Sequence, residues 1–172
     1  METAKAFIAE ARRNLMQEFL PRIERCVEQL SDAEIWWRPN EESNSIGNLM
    51  LHLAGNLRQW IIGGVGGTDD HRIRQQEFDE RSVIPKNELL AKLRATVEEA
   101  DTTLANFDAT KILEERQIQK LNVSLLRAIL HAVEHFSMHT GQIILLTKMI
   151  KEKDLGFYKF SADVPISNWL KE

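Results

Sequence analysis

His131-Ala132-Val133-Glu134-His135-Phe136-Ser137-Met138-His139-Thr140-Gly141-Gln142 lies inside the helix-length stretch Leu125 to Ile150. Three of the five histidines fall here at intervals of four. At roughly 100° per residue, His131, His135, His139 and Gln142 share one narrow arc of a helix. Ala128, Met138, Leu146 and Met149 lie on or beside that arc, which turns the histidines inward. An imidazole has a polar nitrogen on each side, and leaving one unpaired in a core costs about 1–3 kcal/mol. A metal ion removes that cost by taking a lone pair, and an i, i+4 histidine pair is a common helical chelate. Core histidines hydrogen-bonded to their neighbours are the plainer alternative. Three in register favour the metal.

Outward from this stretch the chain reads as three further long helices. From Thr3 to Leu30, Ile8, Ala11, Leu15, Phe19, Ile23, Val27 and Leu30 recur at the amphipathic period, and Pro21 is expected to kink the helix. Cys26 borders that stripe and reads as a small core hydrophobe. Ser31 and Glu34 have the form of a capping box, Pro39 stops the turn it opens, and Trp36-Trp37 read as a plug at one end of the core. Asn44 or Ser45 caps a second helix, Ile46 to about Ile62, with Ile46, Leu49, Met50, Leu53, Leu57, Trp60 and Ile61 as its stripe. His52 projects at the margin of that stripe, roughly 60° outside its edge, with Asn56 one turn further along the same side. The glycines of 63–67 lack a preceding strand and a Gly-Lys-Ser/Thr, so they read as a flexible connection, and His71 as solvated.

Residues 72–84 are polar and long enough for a crossover. Pro85 opens a third helix, Lys86 to Phe107, residues 108–122 form another charged connection, and Asn122 or Ser124 starts the histidine helix. Beyond it a tail, 154–172, carries Val164, Ile166 and Trp169 across the bundle. No stretch reads as a strand. The expectation is one all-α domain over 1–172, a four-helix bundle with a long crossover.

The 172 residues suffice for a full hydrophobic core, and 43% hydrophobic with 28% charged residues is ordinary for a globular chain. A net charge of −4 offers no basic field for nucleic acid. No signal peptide or membrane span is legible, so the expected location is cytoplasmic. A single cysteine excludes an internal disulfide and a cysteine-based zinc site.

Asn48-Leu-Met-Leu-His52-Leu-Ala-Gly-Asn56-Leu-Arg-Gln-Trp60 and Glu134-His135-Phe-Ser-Met-His139-Thr-Gly-Gln142-Ile, with Trp36-Trp37-Arg38-Pro39 and Asp154-Leu-Gly-Phe-Tyr, resemble the DinB/YfiT-like superfamily over nearly the whole chain. The resemblance implies a four-helix bundle carrying a divalent metal on three histidines. By motif these map to His52, His135 and His139, and His131 has no place among them. Zinc or nickel suits imidazole ligands. It further implies a small-molecule substrate, among which a low-molecular-weight thiol is the leading class, and a homodimer.

Three function classes follow. In a thiol transferase or thiol-dependent isomerase, the metal would present a thiolate to an electrophile. In a metal-dependent hydrolase a bound water would attack, with Glu134 the nearest carboxylate in sequence. The third is a metal-binding bundle without catalysis. In the thiol transferase, Met138 and Trp60 are expected to line the pocket that admits the electrophile beside the metal.

Overall fold

The computed structural model describes residues 1–169. Its first rod runs as α1 (Glu2–Arg13), a π-helical segment Asn14–Phe19, and α2 (Leu20–Glu28). The irregularity expected at Pro21 lies upstream of it. The Leu20 N–H bonds the Leu15 carbonyl five residues back, and Pro21 opens α2, where its missing donor costs nothing. Ile8, Ala11, Leu15, Ile23, Cys26 and Val27 are buried along one side, as their spacing requires.

Ser31 caps the short α3 (Asp32–Ile35): its Oγ accepts from the Glu34 N–H at 3.3 Å, and the Glu34 carboxylate accepts from the Ser31 N–H at 2.7 Å. Of the expected aromatic plug, only Trp36 packs, with its indole N–H donating to the Ile84 carbonyl. Trp37 is 40% exposed. Ser45 caps α4 (Ile46–Leu57), which continues through Gly63 and Gly64 as a π-helical segment, Arg58–Val65, rather than breaking there. Gly64 permits this, because a Cβ would stand 2.4 Å from the Ile118 side chain packed against it.

The crossover is not wholly irregular, since it folds α5 (Arg74–Asp79) against α4. Then come α6 (Lys86–Ala105) and α7 (Leu125–Lys151), the latter capped by Ser124. Two hairpins correct the strand-free expectation. β1 (Glu115–Ile118) pairs with β2 (Leu121–Ser124), and β3 (Tyr158–Ser161) with β4 (Val164–Ser167), both antiparallel. Each turns on two residues with positive φ, Gln119 and Lys120 in the first and Ala162 and Asp163 in the second. These are not the Asn-Gly or Asp-Gly pairs that signal such turns, so neither hairpin is legible from its turn residues.

The long helices share one core with Ile118, Leu155, Phe157 and Trp169. Trp169 is buried as expected, with the Arg22 guanidinium 4.0 Å over its ring, while Arg25 donates to the carbonyls of Leu155, Gly156 and Asn168. Val164 and Ile166 correct the tail assignment, being 60% and 52% exposed on the second hairpin. The last residues of the expected tail, 170–172, lie outside the described residues. No helix among the described residues is long and apolar enough to cross a membrane.

Candidate metal centre

Antiparallel α4 and α7 bring His52 against His135 and His139. The Nε2 of His52 lies 3.0 Å from the Nε2 of His135, which lies 3.2 Å from the Nε2 of His139. Among the described residues this is the one group of histidine, cysteine and carboxylate side chains close enough to hold a metal ion. Tetrahedral zinc with Zn–N of about 2.0–2.1 Å would separate its nitrogens by about 3.3 Å, close to these two spacings, and the ligand atoms of all three rings lie within 4.8 Å of one another.

The opposite ring nitrogens show that the donors fit a cation. The Nδ1 of His52 lies 2.8 Å from Glu77 Oε2, so it carries the proton and leaves Nε2 with a lone pair. The Nδ1 of His139 is likewise placed, 2.7 Å from Gln142 Oε1. Two lone pairs therefore face the Nε2 of His135, which could donate a proton to only one of them. A cation satisfies all three, so the triad is compatible with divalent metal binding.

Glu77 is itself held in place. Arg72, with a side chain only 3% exposed, donates Nε to Glu77 Oε1 at 2.7 Å and Nη2 to Oε2 at 2.8 Å. Burial alone would raise the Glu77 pKa, but the bonds from Arg72 and His52 outweigh it and hold the carboxyl below its ordinary range. The pair lies flat on α4 because position 55 is glycine. A Cβ there would stand 2.0 Å from Glu77 Oε1 and 2.8 Å from Arg72 Nε. Phe78 covers His52, with ring centroids 4.6 Å apart.

Burial also keeps the α7 histidines neutral. The His135 pKa falls to about 3, through desolvation first and then the nearby charges of His139, His52, His131 and Arg72. The His139 pKa is lowered chiefly by burial, against the opposing bond to Gln142. Neutral imidazole is the form that binds metal. Cys26 is no competing ligand, for burial pushes its thiol up to about 11.

His52 is only 3% exposed, although the helical wheel puts it beyond the apolar edge of α4. The crossover helix α5 covers that side, so the wheel measured only half of the surroundings. His131 lies outside the triad and stacks on Trp60, ring centroids 4.0 Å apart. Met138 is 54% exposed and Met149 49%, so the histidine arc runs along the edge of the core rather than its middle. Glu134 points to solvent, 3.4 Å from Arg127. His71 is exposed, as expected. Sequence reasoning missed Arg72, Glu77 and Phe78. Their only signal was an arginine, a carboxylate and an aromatic within seven residues of the crossover.

Two solved structures, one of them described as DinB-like, resemble this one. A conserved protein from Enterococcus faecalis superposes with a TM-score of 0.66 at 18% identity, covering 88% of this chain and 97% of its own. A DinB-like protein from Bacillus cereus ATCC 10987 gives 0.61 at 11% identity, covering 79% and 90%. The fold is therefore the DinB-like helical bundle that the motifs imply. No curated protein matches the sequence. The model of one family, described as Protein of unknown function (DUF1572), matches residues 2–161, and the chain belongs to that family.

Proposed function

We propose that His52, His135 and His139 hold one divalent ion, zinc or nickel, in a metal-dependent thiol S-transferase or thiol-dependent isomerase acting on a small molecule. The observation that carries this reading is the convergence of three neutral imidazole nitrogens with no fourth protein ligand beside them among the described residues. Three protein ligands with an open position is the layout of a catalytic rather than a closed structural site. When bound there, the ion supplies Lewis acidity that lowers the pKa of a small thiol.

The chain's own residues prepare that chemistry. Glu77 fixes the tautomer and angle of His52, Arg72 keeps Glu77 ionised, and Gln142 does for His139 what Glu77 does for His52. Phe78 keeps water from one side of the His52 ring. Hydrolysis is less well supported because it needs a free base. Glu134 faces solvent, and both oxygens of Glu77 are engaged by Arg72.

Cobalt substitution tests the reading. Adding glutathione or cysteine to cobalt-loaded protein should produce a sulfur-to-metal charge-transfer band, absent in His135→Ala. A fully metallated protein whose spectrum ignores every thiol overturns the thiol chemistry. Full metal retention by His135→Ala in elemental analysis overturns the site itself.

A further inference from the structure

Beside the three histidines, along the same two helices, a second group of polar side chains has no partner among the described residues. Trp60 is 4% exposed, and its indole N–H is buried without an acceptor. The Nδ1 of His135 is buried and unpaired as well, unlike the same atom of His52 or His139. Asn56, also 4% exposed, lies one turn beyond His52 and four residues before Trp60, and its carboxamide makes no hydrogen bond to the described chain. His131 joins them, with its ring centroid 4.0 Å from Trp60 and 5.6 Å from His135 and neither nitrogen bonded.

A buried donor without an acceptor costs about 1–3 kcal/mol, and native structures hold few. Two buried unpaired donors, Trp60 Nε1 and His135 Nδ1, with the unbonded Asn56 and the half-buried His131 beside them on two facing helices next to a candidate metal centre, point to a ligand. Its chemistry follows from the inventory. An indole N–H can only donate. With Nε2 of His135 on the ion, its proton sits on Nδ1 and also only donates, while Asn56 adds an amide NH₂. Three donors suit one carboxylate. Charge argues the same way. The triad is neutral and Glu77 is offset by Arg72, so a divalent ion would keep its full charge in a largely buried site, and an adjacent anion offsets it.

Resting on the metal centre proposed above, we propose that Asn56, Trp60, His131 and the Nδ1–H of His135 form a recess for a carboxylate of the metal-bound substrate. The substrate class is then a small metal-binding molecule, a thiol in the leading case, that carries a carboxylate a few atoms from its metal-binding group. The half-buried His131 is the movable wall. Its ring lies on Trp60 and must swing aside for the carboxylate to reach the indole N–H.

The test compares 3-mercaptopropionate with its methyl ester on cobalt-loaded protein, read by the charge-transfer band. The acid should bind at least about tenfold more tightly than the ester, the scale of a charge-assisted hydrogen bond. That preference should shrink to about twofold in Trp60→Phe and Asn56→Leu, while affinity for the ester stays the same. Circular dichroism confirms that both variants fold. Equal affinity for acid and ester in the unaltered protein, or a preference kept by both variants, overturns the recess. A second arm does not depend on thiol binding. In zinc-loaded protein with ¹⁵N-labelled indoles, the Trp60 N–H resonance, assigned from Trp60→Phe, should move downfield on adding propionate and stay put with propanamide. If neither thiol gives a band but the resonance moves with propionate, the thiol reading fails and the carboxylate recess stands. A resonance that ignores propionate, or follows propanamide equally, overturns the recess whatever the thiols do.

Discussion

The two helices that meet at the centre brace their histidines by different means. On α7 the support is local: Gln142 sits three residues from His139, on the same helix. On α4 it comes from the crossover, with Arg72 and Glu77 reaching His52 across 20 and 25 residues of sequence. A brace within one helix exists wherever the helix forms. A brace across the crossover exists only once α5 has docked, so α4's contribution depends on tertiary structure in a way that α7's does not.

The difference is largest in metal affinity. Removing a carboxylate that holds a ligating histidine typically weakens metal binding about 10- to 100-fold. Glu77→Gln should fall in that range, measured by competition with a chromophoric chelator. Gln142→Ala should cost less, since it deletes a neutral amide near the surface. Equal losses, or a larger one for Gln142→Ala, would break the contrast between the two helices.

The same contrast explains what could be read beforehand. Four long helices, the caps of two of them and of the short α3, and the His135/His139 pair follow from periodicity and from Ser45, Ser124 and Ser31. These features are set by neighbours within a few residues. By periodicity His52 is legible only as a polar residue at the margin of a stripe, because the surface that buries it comes from α5, and the family resemblance alone marks it as a ligand. Glu77 and Arg72 left no periodic trace. The two hairpins were hidden for a related reason: Gln119-Lys120 and Ala162-Asp163 take positive φ without glycine, held there by strand pairing rather than by their own preference.

Glycine substitutions on the two helices should differ by a smaller effect. Both Gly55 on α4 and Gly141 on α7 sit inside helices, where alanine is intrinsically favoured by about 1 kcal/mol. Around Gly141 no atom lies within 4 Å of an added Cβ, so Gly141→Ala should raise the melting temperature and leave metal affinity alone. At Gly55 the added carbon would displace Glu77 and Arg72. Gly55→Ala should therefore weaken metal binding several-fold, less than Glu77→Gln, because the carboxylate is shifted rather than deleted. A Gly55→Ala protein with unchanged affinity would mean that Glu77 can brace His52 from another position.

The smallest effect concerns His135, which among the three candidate ligands has no brace at Nδ1. In the unfolded chain a histidine takes up its proton near pH 6.5. In the folded, metal-free protein His135 stays neutral down to about 3, because burial and the nearby positive charges oppose the proton. Above pH 6.5 both states are neutral and the residue has no effect on stability. Below it the unfolded state binds the proton and the folded state does not, so stability falls with pH until about 3. His139 and His131, also lowered, act in the same direction. Carboxylates such as Glu34 enter only at lower pH, so the interval from 6.5 to 5 isolates the histidines. Urea denaturation of chelated protein across that interval should show declining stability, with a slope that His135→Gln reduces by up to one proton. Parallel slopes for the two proteins would show that His135 gains its proton in the folded state as readily as in the unfolded one, and that the unbraced α7 ligand is less enclosed than its geometry indicates.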